Sequence, residues 1–427
     1  MINLTEIGSV EFNKMKKIIH PGKYVGEINA PASKSYLQRA IALAVLSNQT
    51  VLDGYEPSKD ADAAISIAKE LNSKIEIKGS KLVIQGGDFF HEKLVVNCNE
   101  SGLSTRMFSV IASLSDQEFI ISGKGSLLKR PMNIIVDALT KFGKTVESNN
   151  GFLPLRITGK MKAGEVNIDG SESSQLLSGL LIALPFLNEN SIVKVENPVS
   201  IPYIKMTLAI LSDFGIEIIQ SDFKKFSIKG NQLVKTKNYK VEGDWSGAAF
   251  HLVAGAIGGA VDVYNLNSNS FQADAKIVEA LKKCGATVLV DDEKISVTKN
   301  KLIAFKFDAT DCPDLFPPLA VLAACCECRS EIIGVSRLKN KESDRGKTIQ
   351  SEFKKLGIEI EIHGNSMFIN GGKVNGGKVE SHNDHRIAMA LAILGLVADD
   401  AVEIDGAEAV EKSYPKFFDD FEKLIKR

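Results

Sequence analysis

A helix-ending signature recurs along this 427-residue chain and limits what it can fold into. An apolar residue, a glycine and then a β-branched run appear at Phe142-Gly143, Phe214-Gly215, Cys284-Gly285 and Leu356-Gly357, with glycine spacings of 72, 70 and 72 residues. Glycine just past the last apolar helical position takes the left-handed conformation without steric cost. The runs behind it, such as Thr287-Val288-Leu289-Val290 and Ile358-Glu359-Ile360-Glu361, have the period of half-buried strands. A weaker copy, Leu71-Asn72 before Lys74-Ile75-Glu76-Ile77, extends the series, and Phe421-Glu422-Lys423-Leu424 falls where a sixth helix ends. Six units of about 71 residues, each ending helix, turn, hairpin, account for the whole length.

The sixth helix has no hairpin after it. Residues 1–30, where Lys23-Tyr24-Val25-Gly26-Glu27-Ile28-Asn29 alternates as a strand, are the simplest source of the missing strands. A chain of this size exceeds one ordinary core. The expectation is an α/β (α+β) protein of two three-unit domains, residues 1–32 plus 244–427 and residues 33–243, joined by two crossover strands. The single tryptophan, Trp245, falls at the second crossover.

With 25% charged and 44% hydrophobic residues and a formal net charge of −1, the chain reads as an ordinary globular protein, not a general binder of nucleic acid or anionic membrane. Any cationic site is therefore local. The start, Met1-Ile2-Asn3-Leu4-Thr5-Glu6, lacks a basic region followed by an apolar one, and no apolar run approaches the length of a membrane span, so a cytoplasmic location is expected. The six cysteines suggest no disulfide framework; Cys325, Cys326 and Cys328, beside the apolar stretch Leu319–Ala324, read as buried helix packing. No His, Cys and carboxylate set has convincing metal-ligand spacing, and neither a metal nor an organic cofactor is expected.

Basic and hydroxyl residues gather where helices begin. Pro31-Ala32-Ser33-Lys34-Ser35 precedes a helix that carries Arg39 in its next turn, and Asn383-Asp384-His385-Arg386, with Asn383 as N-cap, precedes Ile387-Ala388-Met389. Cations at a helix N-terminus oppose its partial positive charge unless an anion binds there. Gly170-Ser171-Glu172-Ser173-Ser174-Gln175 opens another helix, Ser101-Gly102 offers a close backbone approach, and Lys341-Glu342-Ser343-Asp344-Arg345 packs four charges into five residues. Each motif alone also fits a capped helix with solvated charges. Together with Arg130 and Lys412 they form a set of seven cations near element ends: Lys34, Arg39, Arg130, Lys341, Arg345, Arg386 and Lys412.

In order along the chain, Ser33-Lys34-Ser35 with Arg39, Lys129-Arg130-Pro131, Gly170–Gln175, Ser200-Ile201-Pro202-Tyr203, Glu242-Gly243-Asp244, Cys312-Pro313-Asp314, Lys341–Arg345, Asn383–Arg386 and Lys412-Ser413-Tyr414-Pro415 resemble the enolpyruvyl transferase family. The likeness runs from about Ile18 to Phe418 and is strongest to the branch that uses shikimate 3-phosphate. It implies a two-domain inverse α/β barrel-like fold of six βαβαββ units with the active site in the interdomain cleft. It also implies transfer of the enolpyruvyl group of phosphoenolpyruvate to the 5-hydroxyl of shikimate 3-phosphate, in a monomer that binds neither nucleic acid nor membrane. Two such substrates bring roughly five to six negative charges into one site. A like-charge pair at about 5 Å costs about 3 kcal/mol at an effective dielectric near 20, so seven cations are about the number needed.

By this resemblance Ser35, Arg39, Ser173, Ser174, Ser200 and Lys341 hold shikimate 3-phosphate, with Tyr203 near its ring and Asp314 beside its reacting hydroxyl. Gly102, Arg130, Arg345, His385, Arg386 and Lys412 hold phosphoenolpyruvate, and Lys34 and Gln175 touch both. The catalytic candidates are Asp314, Glu342 and Lys34. Asp314 is favoured as base toward the 5-hydroxyl, and Glu342, with a raised pKa, as proton donor to the methylene; sequence leaves that division open. Glyphosate, which occupies the phosphoenolpyruvate site in this family, would lie near Gly102, where an added methyl would fill spare room. Two positions depart from the family pattern: Glu100, an anion that has to turn away or pair, and Arg337, where some relatives carry an asparagine. The nearest rival, an enolpyruvyl transferase acting on UDP-N-acetylglucosamine, usually carries a reactive cysteine in a loop that corresponds to Gly123–Arg130, which has none. An RNA 3′-phosphate cyclase and a noncatalytic repeat scaffold fit less well, the first for want of net positive charge and the second because it has no use for the cations.

Overall fold

A computed structural model describes residues 15–87, 94–235 and 237–426, so the reading of residues 1–14 lies outside the described residues. The repeat is physical. Gly143, Gly215, Gly285 and Gly357 have φ of +87°, +80°, +92° and +83°, and Asn72 stands in for glycine at +64°. Each follows a helix, namely Asn133–Lys141, Ile201–Asp213, Ile277–Lys283, Arg345–Lys355 and Lys59–Glu70, and each precedes an antiparallel hairpin.

Every unit makes one sheet to one plan: two parallel strands separated by a helix, the second of them also pairing antiparallel with the far strand of the hairpin. In the sixth unit the hairpin strand is replaced by Lys16–Ile19, which pairs antiparallel with Val402–Asp405. The alternating segment Lys23–Asn29 does something else. It pairs in parallel with Gly259–Tyr264 of the fourth unit, and the short closing strand Ile425–Lys426 adds to its other edge. In return the fourth unit's own leading strand, Lys237–Lys240, pairs with Thr50–Asp53 of the first unit. The first and fourth units have exchanged strands.

Buried apolar side chains fall into two clusters, one from residues 19–30 and 245–424, the other, here the central core, from residues 36–241. In each, helices apolar on all sides lie inside and the sheets outside, as helix burial of this kind requires. Trp245–Gly258, Phe316–Ala324 and His385–Gly395 fill the first core; Lys34–Val45, Gly102–Ala112 and Gln175–Ala183 fill the central core. The two crossing segments run side by side. Ser33 N–H donates to Glu242 O at 2.8 Å and Asp244 N–H to Pro31 O at 2.7 Å. Gly243 is required there, since a Cβ would sit 2.0 Å from Asn265 O. Trp245 follows immediately, 1% exposed, its indole donating to Asn267 O at 3.0 Å.

Two local expectations change. Asp384, not Asn383, caps the last inner helix, its carboxylate accepting from Arg386 N–H, while Asn383 is left-handed at φ +55°. The helix Phe316–Ala324 stops before the cysteine cluster, so Cys326 is buried, Cys325 partly so and Cys328 exposed; all six thiols are free.

Candidate active site

The inner helices begin at the cleft between the two cores. Lys34 and Ser35, Gly102, Gln175, Ser200 with Tyr203, Asp314, and Arg386 all come from the first residues of a helix or the residue just before one, and all line one polar cavity. Lys341 and Glu342 reach it from the turn ahead of helix Arg345–Lys355. The wall carries seven cations (Lys34, Arg39, Arg106, Arg130, Arg337, Lys341 and Arg386) and four carboxylates (Asp60, Glu172, Asp314 and Glu342). A chain of net charge −1 thus concentrates a local surplus of positive charge where helix N-termini already favour anions.

Three cations converge on Asp314. Lys341 Nζ lies 3.4 Å and Arg345 Nη1 2.9 Å from Oδ1, and Arg386 Nη2 lies 3.0 Å from Oδ2. Arg345 is fully buried and also binds Glu342 Oε2 at 2.6 Å and both oxygens of Asp384, at 2.9 and 3.2 Å. Burial opposes ionisation of Asp314, but Arg386, Lys341 and Arg345 outweigh it and hold the carboxyl well below the usual range. Burial likewise opposes ionisation of Glu342, and the charges of Arg345, Lys412 and Arg130 outweigh it. This reverses the expected raised pKa of Glu342: its neighbours are mostly cations, and their sum was invisible along the chain.

That depression has a stability consequence. A carboxylate held below its unfolded pKa of about 4.3 stabilises the fold fully above that value and loses the contribution as pH falls through the folded one. Glu342→Gln is therefore expected to lower the urea midpoint by a constant amount from pH 7 down to about pH 4.5, with the gap closing only at lower pH. A gap already closing between pH 7 and 5 would contradict the ionised state.

The remaining cations are strained by burial. Arg39 is drawn down to about 10 by burial, and its guanidinium donates to Thr207 Oγ1, Ser178 Oγ and Ser35 O. Arg106 is drawn down to about 9 by burial and then by Arg130 beside it. Lys34 pairs with Asp60 at 3.1 Å; burial works against its charge, yet Asp60, Glu342 and Asp314 together outweigh it and its pKa is raised. Lys412 Nζ is buried and makes no hydrogen bond among the described residues, with Glu100 Oε2 at 3.9 Å. Glu100 does pair: it accepts from Ser126 Oγ at 2.9 Å and from Asn383 Nδ2 at 3.3 Å.

A family model described as EPSP synthase (3-phosphoshikimate 1-carboxyvinyltransferase) matches residues 19–421. The chain belongs to the EPSP synthase family. It is 40% identical over 421 residues to the 3-phosphoshikimate 1-carboxyvinyltransferase of Clostridium acetobutylicum, covering 95% of this chain and 96% of that protein, and 38% identical to that of Clostridium novyi, covering 96% and 97%. It is also similar to the solved EPSP synthase of Acinetobacter baumannii, with a TM-score of 0.80 at 26% identity over 96% of this chain and 98% of that one. The fold is the family's two-domain inside-out α/β architecture.

Within this EPSP synthase-family cavity, Lys34, Ser35, Arg39, Gly102, Arg130, Ser173, Ser174, Gln175, Ser200, Tyr203, Asp314, Lys341, Glu342 and Arg386 stand together on the wall. Arg345, His385 and Lys412 lie behind it. His385 is buried, neither ring nitrogen has a hydrogen-bond partner among the described residues, and burial, with Arg386 next to it, keeps the imidazole neutral. Sequence reading missed Arg106, Asp60 and Asp384. Arg106 had a signal: it sits one turn past Gly102 in a helix of otherwise small or apolar residues, where a charged side chain calls for a partner or a ligand.

Proposed function

We propose that the cleft holds the two substrates of the family reaction side by side, with phosphoenolpyruvate against Lys34, Gly102, Arg130, Gln175, Arg386 and Lys412 and shikimate 3-phosphate against Ser35, Arg39, Ser173, Ser174, Ser200, Tyr203 and Lys341. The reaction is transfer of the enolpyruvyl group of phosphoenolpyruvate to the 5-hydroxyl of shikimate 3-phosphate with release of phosphate, a step of the shikimate pathway toward chorismate and the aromatic amino acids. The observation that carries the site map is the surplus of cations at converging helix starts. Arg345 enters mainly as the group that fixes Asp314 and Glu342, since four of its five N–H donors bind those carboxylates and Asp384.

Chemistry needs a proton on the methylene carbon and the removal of one from the attacking hydroxyl. Asp314, ionised, serves as the base. Glu342 is ionised by its cations alone, so it becomes a donor only when substrate anions fill the site and offset them. Lys34, charged beside Asp60, steadies both substrates. The two cores act as domains, residues 1–32 plus 244–427 and 33–243, in a cytoplasmic monomer that handles small molecules and neither nucleic acid nor membrane; no described helix is long and apolar enough to cross a bilayer.

Phosphate release from phosphoenolpyruvate, measured with shikimate 3-phosphate and separately with UDP-N-acetylglucosamine, tests the reading; turnover with the amino sugar alone would overturn it. Gly102 supplies a second check. A Cβ there would lie 2.5 Å from Arg130 Nη1 and 3.0 Å from Arg106 Nη1, so the room expected from sequence is already taken by two guanidinium groups. Gly102→Ala must displace Arg130, and loss of one charged hydrogen bond predicts a rise in KM for phosphoenolpyruvate of roughly 10- to 100-fold alongside weaker glyphosate inhibition. An unchanged KM would free Arg130 from the assignment.

A further inference from the structure

Three polar side chains are buried together in the first core, away from the cavity: Tyr24, His251 and Tyr414. Tyr24 sits on strand Lys23–Asn29, His251 midway along helix Trp245–Gly258, and Tyr414 two residues past the end of the short helix Ala407–Lys412. The Tyr24 hydroxyl lies 2.6 Å from His251 Nδ1, and His251 Nε2 lies 3.1 Å from the Tyr414 hydroxyl. Tyr414 in turn donates to Asp420 Oδ2 at 2.9 Å, and Lys423 holds the other carboxylate oxygen at 3.1 Å. The direction of every bond follows from the one to Asp420. Tyr414 has a single hydroxyl proton and gives it to the carboxylate, so toward His251 it can only accept. Burial draws the imidazole down to about 4 against the pull of Asp420, so at pH 7 the ring is neutral and holds one proton. That proton is on Nε2, and Nδ1 accepts from Tyr24. All four residues belong to the same core, so the chain of bonds is independent of how the two cores stand to each other.

We infer that His251 and Tyr414 are positioning residues, and that their hydrogen-bonded chain fixes the turn that carries Lys412 to phosphoenolpyruvate. The inference rests on the assignment of Lys412 to that substrate. Lys412 Nζ is buried with no hydrogen-bond partner among the described residues, and Glu100 Oε2, at 3.9 Å, is too far to be one. The place of the ammonium group therefore depends on the backbone beneath it. That backbone is gathered on Val410 O, which accepts from Ser413 N–H at 3.1 Å and from Tyr414 N–H at 2.8 Å. The Tyr414 side chain then pins the gathered turn on two sides, to helix Trp245–Gly258 through His251 and to helix Phe417–Leu424 through Asp420. A phenylalanine would fill the space of either tyrosine, but apolar packing prescribes no direction. A fully paired polar chain in a low-dielectric core does, since turning one member leaves its neighbours buried and unpaired.

Steady-state kinetics of Y414F, H251F and Y24F, with K412A as reference, tests this. Y414F and Y24F each remove one buried hydroxyl bonded to His251, so the damage to the core is matched, but only Y414F touches the turn. Y414F and H251F are expected to raise KM for phosphoenolpyruvate roughly tenfold at saturating shikimate 3-phosphate, with kcat and the acceptor's KM within about threefold of wild type. Y24F is expected to stay within about twofold on all three. Combined with K412A, Y414F should add nothing further, because changes that act through one group are not additive. A KM raised by K412A but not by Y414F overturns the positioning role, as do equal effects of Y24F and Y414F, or full additivity of Y414F with K412A. If Y414F does not fold, H251F carries the same comparisons. An unchanged KM in K412A is a different failure: it removes Lys412 from the substrate map, and the inference with it. The chain itself has a readout that needs no substrate. In nitrogen NMR spectra of histidine-labelled protein at pH 7, the signal lost in H251F should report a proton on Nε2, and a proton on Nδ1 overturns the bond directions and the pinning of Tyr414.

Discussion

Replacing Asp314 by Asn is expected to cut kcat about a thousandfold, within the range that a positioned general base contributes, while both substrates still bind. The asparagine keeps the shape but neither accepts the hydroxyl proton nor competes for cations. Lys341, Arg345 and Arg386, now bound to one carboxylate, would turn their charge toward the substrates. Apparent affinity for phosphoenolpyruvate should therefore hold or tighten as turnover collapses. Single-turnover phosphate release together with calorimetric titration separates the two effects. A variant that loses affinity but keeps its rate constant would place Asp314 in binding and leave the base unidentified.

Arg345→Ala should act on the fold before it acts on the reaction. Arg345 is wholly buried, and its removal strands Asp384, also wholly buried, with Asp314 and Glu342 close by. Removing one partner of a buried ion pair costs about 3–5 kcal/mol, since the remaining charge has lost its compensation. Urea denaturation should show a loss of that order. Arg386→Ala, which surrenders a single ion pair at the cavity wall, should lose much less stability and instead weaken phosphoenolpyruvate. Equal midpoints for Arg345→Ala and wild type would return Arg345 to the role of a plain substrate contact.

These two arginines also show where a linear reading stops. The repeat was legible because a left-handed residue after a helix is a local demand, met at Gly143, Gly215, Gly285 and Gly357 by the residue type that meets it most cheaply. The cations at helix starts were legible for the same reason: position and charge conflict within a few residues. The partner of Arg345 is 39 residues away at Asp384, and that of Lys34 is 26 away at Asp60, so neither pairing has a local trace. The sign of the Glu342 shift depends on three cations from three parts of the chain. Lys23–Asn29 was readable as a strand, but its sheet was not, because alternation fixes a strand's faces and not its neighbours.

The exchanged strands impose an order on the making of this protein. Lys23–Asn29 leaves the ribosome 230 residues ahead of its parallel partner, which begins at Gly259, and Lys16–Ile19 waits longer still, for Val402–Asp405. At translation speeds of about 5–20 residues per second the first delay lasts roughly 10 to 50 s. The central core needs only the stretch through Lys237–Lys240 to complete its sheets, so it is free to form while the leading strands stay unpaired. A released chain that ends near residue 245 should thus already protect the central core from protease and leave residues 16–29 open to cleavage.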